Sequence, residues 1–269
     1  MAKSKQKRKR TAGDIISLIV MIIALGVFFY SAFYLVTKWL EYKESADEYK
    51  SLNRQYVGEE IDPDQAETEL PAQEAGLAVM KNPIDFAGLR EVNDEIIGWI
   101  KIKAIDASYP IAHGKDNDFY LHNTFEKTYN FAGCIFLNSE NKKDFSDVNS
   151  IVYGHNMKNG SMFGKLSKFH EAGVYEKSSY FWIYTPDKIY KYKIFSCREV
   201  ASVGDAYQID FQDNETFEKY INTAVEQSVV KSDVTVASGD KIVTLSTCTG
   251  NDTTRFIVQG KLEKTYLSK

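Results

Sequence analysis

The chain has little with which to hold a metal and nothing with which to cradle a nucleotide. It contains three cysteines and four histidines. None falls in a Cys-x-x-Cys or His-Glu-x-x-His spacing, so the usual zinc patterns are excluded and no metal site is expected. No glycine-rich phosphate loop occurs, so no cofactor is expected. Charge of one sign is also missing, segment by segment. Residues 1–10 hold six Lys/Arg and no acid, residues 15–37 hold no charge at all, and residues 58–76 hold seven acids, two prolines and no Lys/Arg. Beyond the first ten residues the chain carries 27 Lys/Arg against 37 Asp/Glu, an acidic balance that argues against a nucleic-acid partner.

Those three segments predict an organisation. The 23 uncharged residues from Ile15 to Thr37, at about 1.5 Å per residue, span roughly 34 Å, enough for a bilayer core of about 30 Å. Tyr34 and Trp39 fall where interfacial aromatics belong, and the basic start predicts an inside N-terminus and an outside body. A cleaved signal peptide would have a shorter apolar region and a small-x-small site; this segment exits into "KWLEYKE". The expected division is a basic cytoplasmic tail (1–14), a single-pass cell-membrane anchor (15–37), a juxtamembrane helix and acidic tether (38–81), and an extracellular globular domain (82–269). An odd cysteine count leaves at least one free thiol. Cys134 and Cys197 lie in the strand-like runs "GCIFL" and "IFSCREV" and read as small buried hydrophobes; a disulfide between them is the alternative.

The globular part opens with a helix start, "NPIDFAGLREVN", with Asn82 as cap and Pro83 at the first position. Seven runs rich in Val, Ile, Tyr, Phe and Thr follow, at 96–102, 132–138, 150–154, 179–185, 189–203, 241–247 and 255–262, and they predict strands. Pro-Asp in "YTPDKIY" predicts a hairpin tip. Residues 214–229 place Phe217, Tyr220, Ile221 and Val225 at helical spacing. The class is mostly β, a barrel or a sandwich with decorating helices.

One stretch carries chemistry. In "TLSTCTGNDTTRF", Cys248 ends a strand and Arg255 begins the next, so both sit at one end of adjacent strands. A thiol needs a neighbouring base to react. His155, in "IVYGHNM", follows a β-branched run ending at Gly and so projects from a strand end. His113, His122 and His170 lie in polar stretches. Cys248, His155 and Arg255 at three strand ends would supply a nucleophile, a proton carrier and an oxyanion binder. The non-enzymatic alternative is an anchored β-domain in which Cys248 merely packs.

The motifs then bring a resemblance. "TLSTC" resembles the Thr-Leu-x-Thr-Cys signature of sortases, the membrane-anchored cysteine transpeptidases of Gram-positive bacteria, and "YGHNM" resembles their histidine motif. "NDEIIGWIKI", "YPIAHGKDNDFYLHNTF" and "GCIFLN" look like the class B branch over residues 83–262, as does the helix at 214–229. The resemblance implies an eight-stranded β-barrel with Cys248 as nucleophile, His155 as acid/base and Arg255 as oxyanion binder. Asn117, Leu121, Tyr153, Ser246 and Thr247 would contact substrate, and Asn156 would orient the histidine. It further implies cleavage of an Asn-Pro-x-Thr-Asn-like sorting signal on surface proteins and transfer to an amine of a lipid-linked peptidoglycan precursor. Pilin polymerisation through a pilin lysine is the alternative. The loop from Cys248 to Arg255 is shorter than in many class B members. An L,D-transpeptidase would place His and Cys close together, and a papain-like hydrolase would reverse their order.

Overall fold

The computed structural model describes residues 11–58, 73–74 and 77–269. The basic residues 1–10 and most of the acidic stretch at 58–76 lie outside the described residues. Helix α1 (Ala12–Tyr56) carries the uncharged run, with Ile16, Phe29 and Tyr30 exposed along it. Among the described residues it is the one helix long and apolar enough to cross a membrane. A separate compact unit begins at Ser45. Within that unit the last turns of α1 bury Ser45, Tyr49, Leu52 and Tyr56, a stripe at helical spacing.

The unit is built on strands β1 (Gln73–Glu74), β2 (Leu77–Met80), β3 (Ile96–Ile102), β4 (Ala107–Ala112), β5 (Ile135–Leu137), β6 (Asn149–Tyr153), β7 (Tyr180–Tyr184), β8 (Lys188–Ala201), β9 (Ile242–Cys248) and β10 (Thr254–Ser268). Eight of them close into a barrel in the order β10-β8-β7-β3-β4-β5-β6-β9, with β9 pairing back onto β10. Two neighbour pairs in the ring, β4–β5 and β6–β9, are parallel. The short β2 adds to β10 outside the ring. This is the expected barrel, and each of the seven expected runs holds one of its strands. The eighth, β4, has the sequence ASYPIA; Pro110 and three small residues mask its strand character, yet Ile111 and Ala112 are fully buried.

Helices decorate the barrel: α2 (Phe86–Val92), α3 (Phe119–His122), α4 (Val174–Lys177) and α5 (Asn214–Glu226). The cap of α2 is Asp85, whose carboxylate accepts from Gly88 N at 3.0 Å, and not Asn82. Asn82 instead folds over the proline, its Oδ1 accepting from Ile84 N at 3.0 Å, so the chain turns once more before the helix begins. In α5 the buried face is Phe217, Tyr220, Ile221 and Ala224, packed on Phe195 and Ile242; Val225 is 46% exposed and lies off that face.

Where α5 meets the barrel, a buried polar web ties the closing strands. The Gln259 amide donates to Tyr220 Oη at 2.7 Å and to Thr244 Oγ1 at 3.1 Å, and Thr244 Oγ1 donates to Asn149 Oδ1 at 2.9 Å. One residue each from β10, β9 and β6 is thereby held, and all three are fully buried. A half-satisfied web costs more than none. Replacing Gln259 with Leu should destabilise the domain by about 1–3 kcal/mol and lower its Tm by several degrees in a calorimetric or circular-dichroism melt of the full chain in detergent.

Candidate active site

Strand register brings the three chemical groups together. In the parallel pair β6–β9, Tyr153 lies opposite Ser246. Gly154 N continues the ladder, donating to Ser246 O at 3.1 Å. His155 and Cys248 each sit two residues beyond that last pair, at the same end of their strands. In the antiparallel pair β9–β10, Cys248 lies directly opposite Arg255, so their side chains share a face of the sheet. A cleft of about 240 Å³ opens here, and Asn117, Leu121, Tyr153, His155, Ser246, Thr247, Cys248 and Arg255 all line it.

Gly154 explains the position of the histidine. A Cβ there would clash with Ile135 Cδ1 and come 2.8 Å from the Phe163 ring. Only glycine lets the backbone pass close over Phe163 and turn His155 toward the cleft. His155 Nε2 lies 2.7 Å from Leu121 O, the carbonyl in the last turn of α3. That bond fixes the tautomer: the proton on Nε2 is donated to the carbonyl, and Nδ1 remains for proton exchange. The orienting group is this backbone carbonyl and not the Asn156 carboxamide. Burial holds His155 below its ordinary value of 6.5, opposed by the Leu121 hydrogen bond and reinforced by His122 nearby. The imidazole is therefore neutral at neutral pH.

Arg255 Nη1 points back onto the β9–β10 loop, donating to Thr254 O at 2.8 Å and Asp252 O at 3.0 Å. Nε and Nη2 make no hydrogen bond among the described residues. The short loop is self-contained. Gly250 takes a left-handed φ of 92°, Asn251 Oδ1 accepts from Thr253 N at 2.9 Å, and Ser202 N ties the loop to the end of β8 through Thr253 O at 2.8 Å. A compact loop thus holds one guanidinium nitrogen in place on a residue that lines the cleft.

The three thiols are free. Cys134 and Cys197 are fully buried, and Cys248 is partly exposed. Burial pushes the Cys134 thiol up to about 12 and raises Cys197 further still. The structure thus favours the packed reading of this pair over the disulfide.

One wall of the cleft is a connected set of rings and amides. Tyr153 stacks on Tyr207 with ring centres 6.1 Å apart, and Tyr207 Oη bonds Ser246 Oγ at 2.9 Å. Asn138 Nδ2 donates to Tyr153 Oη at 3.2 Å, and Asn117 Oδ1 accepts from Ser139 N at 2.8 Å. Tyr207, Ser202 and Phe136 line the cleft without having been expected. Tyr207 stands alone in the polar loop "VGDAYQ", where no periodicity marks it. Strand alternation sets Ser246 and Cys248 on one face and Thr247 on the other. Thr247 borders the cleft, but its Oγ1 is buried with no partner.

A family model described as a sortase domain matches residues 100–263. Sortase B of Listeria monocytogenes is 35% identical over 181 residues, which cover 66% of this chain and 74% of that protein. The crystal structure of sortase B from Bacillus anthracis in complex with AAEK1 aligns with a TM-score of 0.68 at 29% identity, covering 84% of this chain and 99% of that one. A Staphylococcus aureus sortase B–substrate complex aligns with a TM-score of 0.66 at 26% identity, covering 84% and 99%.

Two outcomes follow from this geometry. A thiol reagent should modify one cysteine of the folded chain, Cys248, and all three after denaturation, as read by intact mass. The second concerns pH. Folding lowers the His155 value from 6.5, so below about pH 6.5 the unfolded chain binds the extra proton and stability falls with pH until the folded value is passed. A His155→Gln variant should lose less Tm than the parent on acidification through that window.

Proposed function

This chain belongs to the sortase family, in its class B, and on that premise we propose which protein segment it cuts and which amine it joins. It is a cysteine transpeptidase. The substrate is a surface protein ending in a sorting signal that resembles Asn-Pro-x-Thr-Asn, cut between Thr and Asn. The acceptor is an amine of a lipid-linked peptidoglycan precursor. The observation that carries this reading is the convergence of Cys248, His155 and Arg255 on one cleft by strand register.

The chemistry follows from the positions. Neutral His155 takes the thiol proton of Cys248, and the thiolate attacks the threonine carbonyl. The developing oxyanion is met by the Arg255 guanidinium, which is fixed before the reaction by its loop carbonyls, so little reorganisation is needed at the moment of attack. The intermediate collapses as the imidazolium returns its proton to the departing amine of Asn. A thioacyl enzyme remains. The acceptor amine attacks it, His155 takes the proton, and Cys248 leaves as thiolate. The cleft wall of Asn117, Leu121, Tyr153 and Ser246 binds the signal.

In this reading the run at 15–37 is a retained anchor, with residues 1–14 inside the cell and the barrel outside. Both substrates then begin at the membrane surface, and anchoring raises their effective concentration there. Residues 38–44 lead from the anchor to the compact unit that begins at Ser45.

The test is a quenched peptide carrying Asn-Pro-x-Thr-Asn, incubated with the full chain and followed by mass spectrometry. The expected result is cleavage after Thr, with an added amine captured on Thr, and no product from Cys248→Ala. Cleavage at another bond would overturn the assigned signal. Uptake of a lysine-bearing pilin peptide in place of the wall-type amine would overturn the assigned acceptor. Arg255→Ala should lower kcat about 10²–10³-fold with a smaller change in KM, the pattern of a lost oxyanion donor.

A further inference from the structure

The last turns of α1 are linked to His155 by two relays of contacts that both start at Tyr49. Tyr49 is 3% exposed, and its hydroxyl donates to Gly133 O at 2.7 Å. Gly133 lies hard against the end of α3: it holds a left-handed φ of 58°, and a Cβ there would clash with Tyr120 O and come 2.8 Å from Leu121 O. The adjoining Cys134 N donates to Tyr120 O at 2.9 Å. Leu121 O is the carbonyl that holds His155 Nε2. This is the first arm. In the second, the Tyr49 ring packs edge-on against Tyr109 with centres 5.5 Å apart. Tyr109 Oη accepts from Met162 N at 2.9 Å, Met162 bridges back to Asn156, and the next residue, Phe163, donates its N–H to His155 O at 3.0 Å. One side chain of α1 therefore contacts Gly133, which abuts the carbonyl that binds the imidazole, and Tyr109, which binds the segment that holds the histidine backbone.

We propose that Tyr49 is a positioning residue for His155, so that the end of the helix following the apolar run is a working part of the active site. This rests on the reading of His155 as the acid/base. The physical case is one of rigidity. A carbonyl in a four-residue helix has few neighbours to fix it, and a buried hydroxyl bonded to the abutting glycine supplies a fixed stop. Without that bond Gly133 O is left buried and unpaired, and the 120–133 contact loosens. Small displacements of a proton carrier are costly in rate. The Leu121 hydrogen bond also favours the charged imidazolium, so loosening it should be visible in the titration of His155 as well as in turnover.

The experiment compares the full-length parent, Tyr49→Phe, Gly133→Ala and Cys248→Ala in detergent. Tyr49→Phe keeps the ring against Tyr109 and removes only the hydroxyl. Its expected effects are a lower kcat, about tenfold, with KM within about twofold, and a lower titration midpoint for the His155 ring signal in NMR, assigned through His155→Gln. Gly133→Ala pushes the same carbonyl directly and should move the midpoint in the same direction, with a larger loss of kcat. A Tyr49→Phe protein with the parent's kcat and the parent's His155 midpoint would overturn the proposal, as would a loss of Tm with an unmoved midpoint, which marks a structural role only. If Cys248→Ala retained activity, the catalytic reading would fall, while a shifted midpoint would still support the link from Tyr49 to His155.

Discussion

The pairing of β9 with both β6 and β10 is the constraint on which the site depends. A β-barrel must close, and here closure occurs at the strand that carries the cysteine. Because β6 runs parallel to β9, their ends coincide, and His155 and Cys248 emerge together although 93 positions separate them. Because β10 runs antiparallel, the residue opposite Cys248 is fixed as Arg255 whatever the intervening loop does. A one-residue slip would turn every side chain of β9 to the other face and exchange Cys248 for Thr247 at the cleft. The buried bonds among Gln259, Thr244 and Asn149 cross all three strands and resist that slip. Such webs are weak sources of net stability, but they penalise every register in which their members are unpaired.

Strand register also accounts for a feature of the loop. The connection between Cys248 and Arg255 holds six residues, fewer than the resemblance leads one to expect. Since the register and not the loop sets the Cys–Arg pair, shortening the loop leaves the pair in place and alters only what the loop itself can touch. The loop spends its polar groups internally, on Asn251, Thr253 and the Arg255 guanidinium. Its role in the structure is to hold Arg255.

Much of this was legible in the sequence, for a physical reason. Strands buried on one or both faces announce themselves through β-branched and aromatic runs, so seven of the eight barrel strands were visible, and strand-end positions for Cys248, His155 and Arg255 followed from where those runs stop. The strand β4 was hidden because Pro110 and the small residues Ala107, Ser108 and Ala112 carry little strand signal. The helix cap was misplaced because Asn82 and Asp85 are both good caps, and only the turn over Pro83 decides between them. Val225 was misassigned because 3.6-residue spacing marks a broad face, and the barrel covers just the part bearing Ala224. Tyr207 and the Leu121 carbonyl were not visible at all. A lone tyrosine in a polar loop has no pattern, and backbone groups have no letter in a sequence.

The choice of a backbone carbonyl as the partner of His155 has chemical consequences. In many nucleophile–base pairs a carboxylate orients the imidazole and stabilises its cation. A carbonyl orients equally well but offers a dipole in place of a full charge. It cannot offset burial completely, and His155 accordingly sits below its ordinary value. In the proposed mechanism the neutral imidazole accepts the thiol proton, and the imidazolium it becomes is a stronger acid than an ordinary histidine. A stronger acid gives up its proton more readily to the departing amine, which is the harder leaving group in amide chemistry. Burial of the histidine and a neutral orienting partner therefore act in the same direction. Under the proposed roles, both favour a proton that is borrowed briefly from Cys248 and passed on. The price is a positional demand, because a group held by one carbonyl bond is only as fixed as the short helix that presents it.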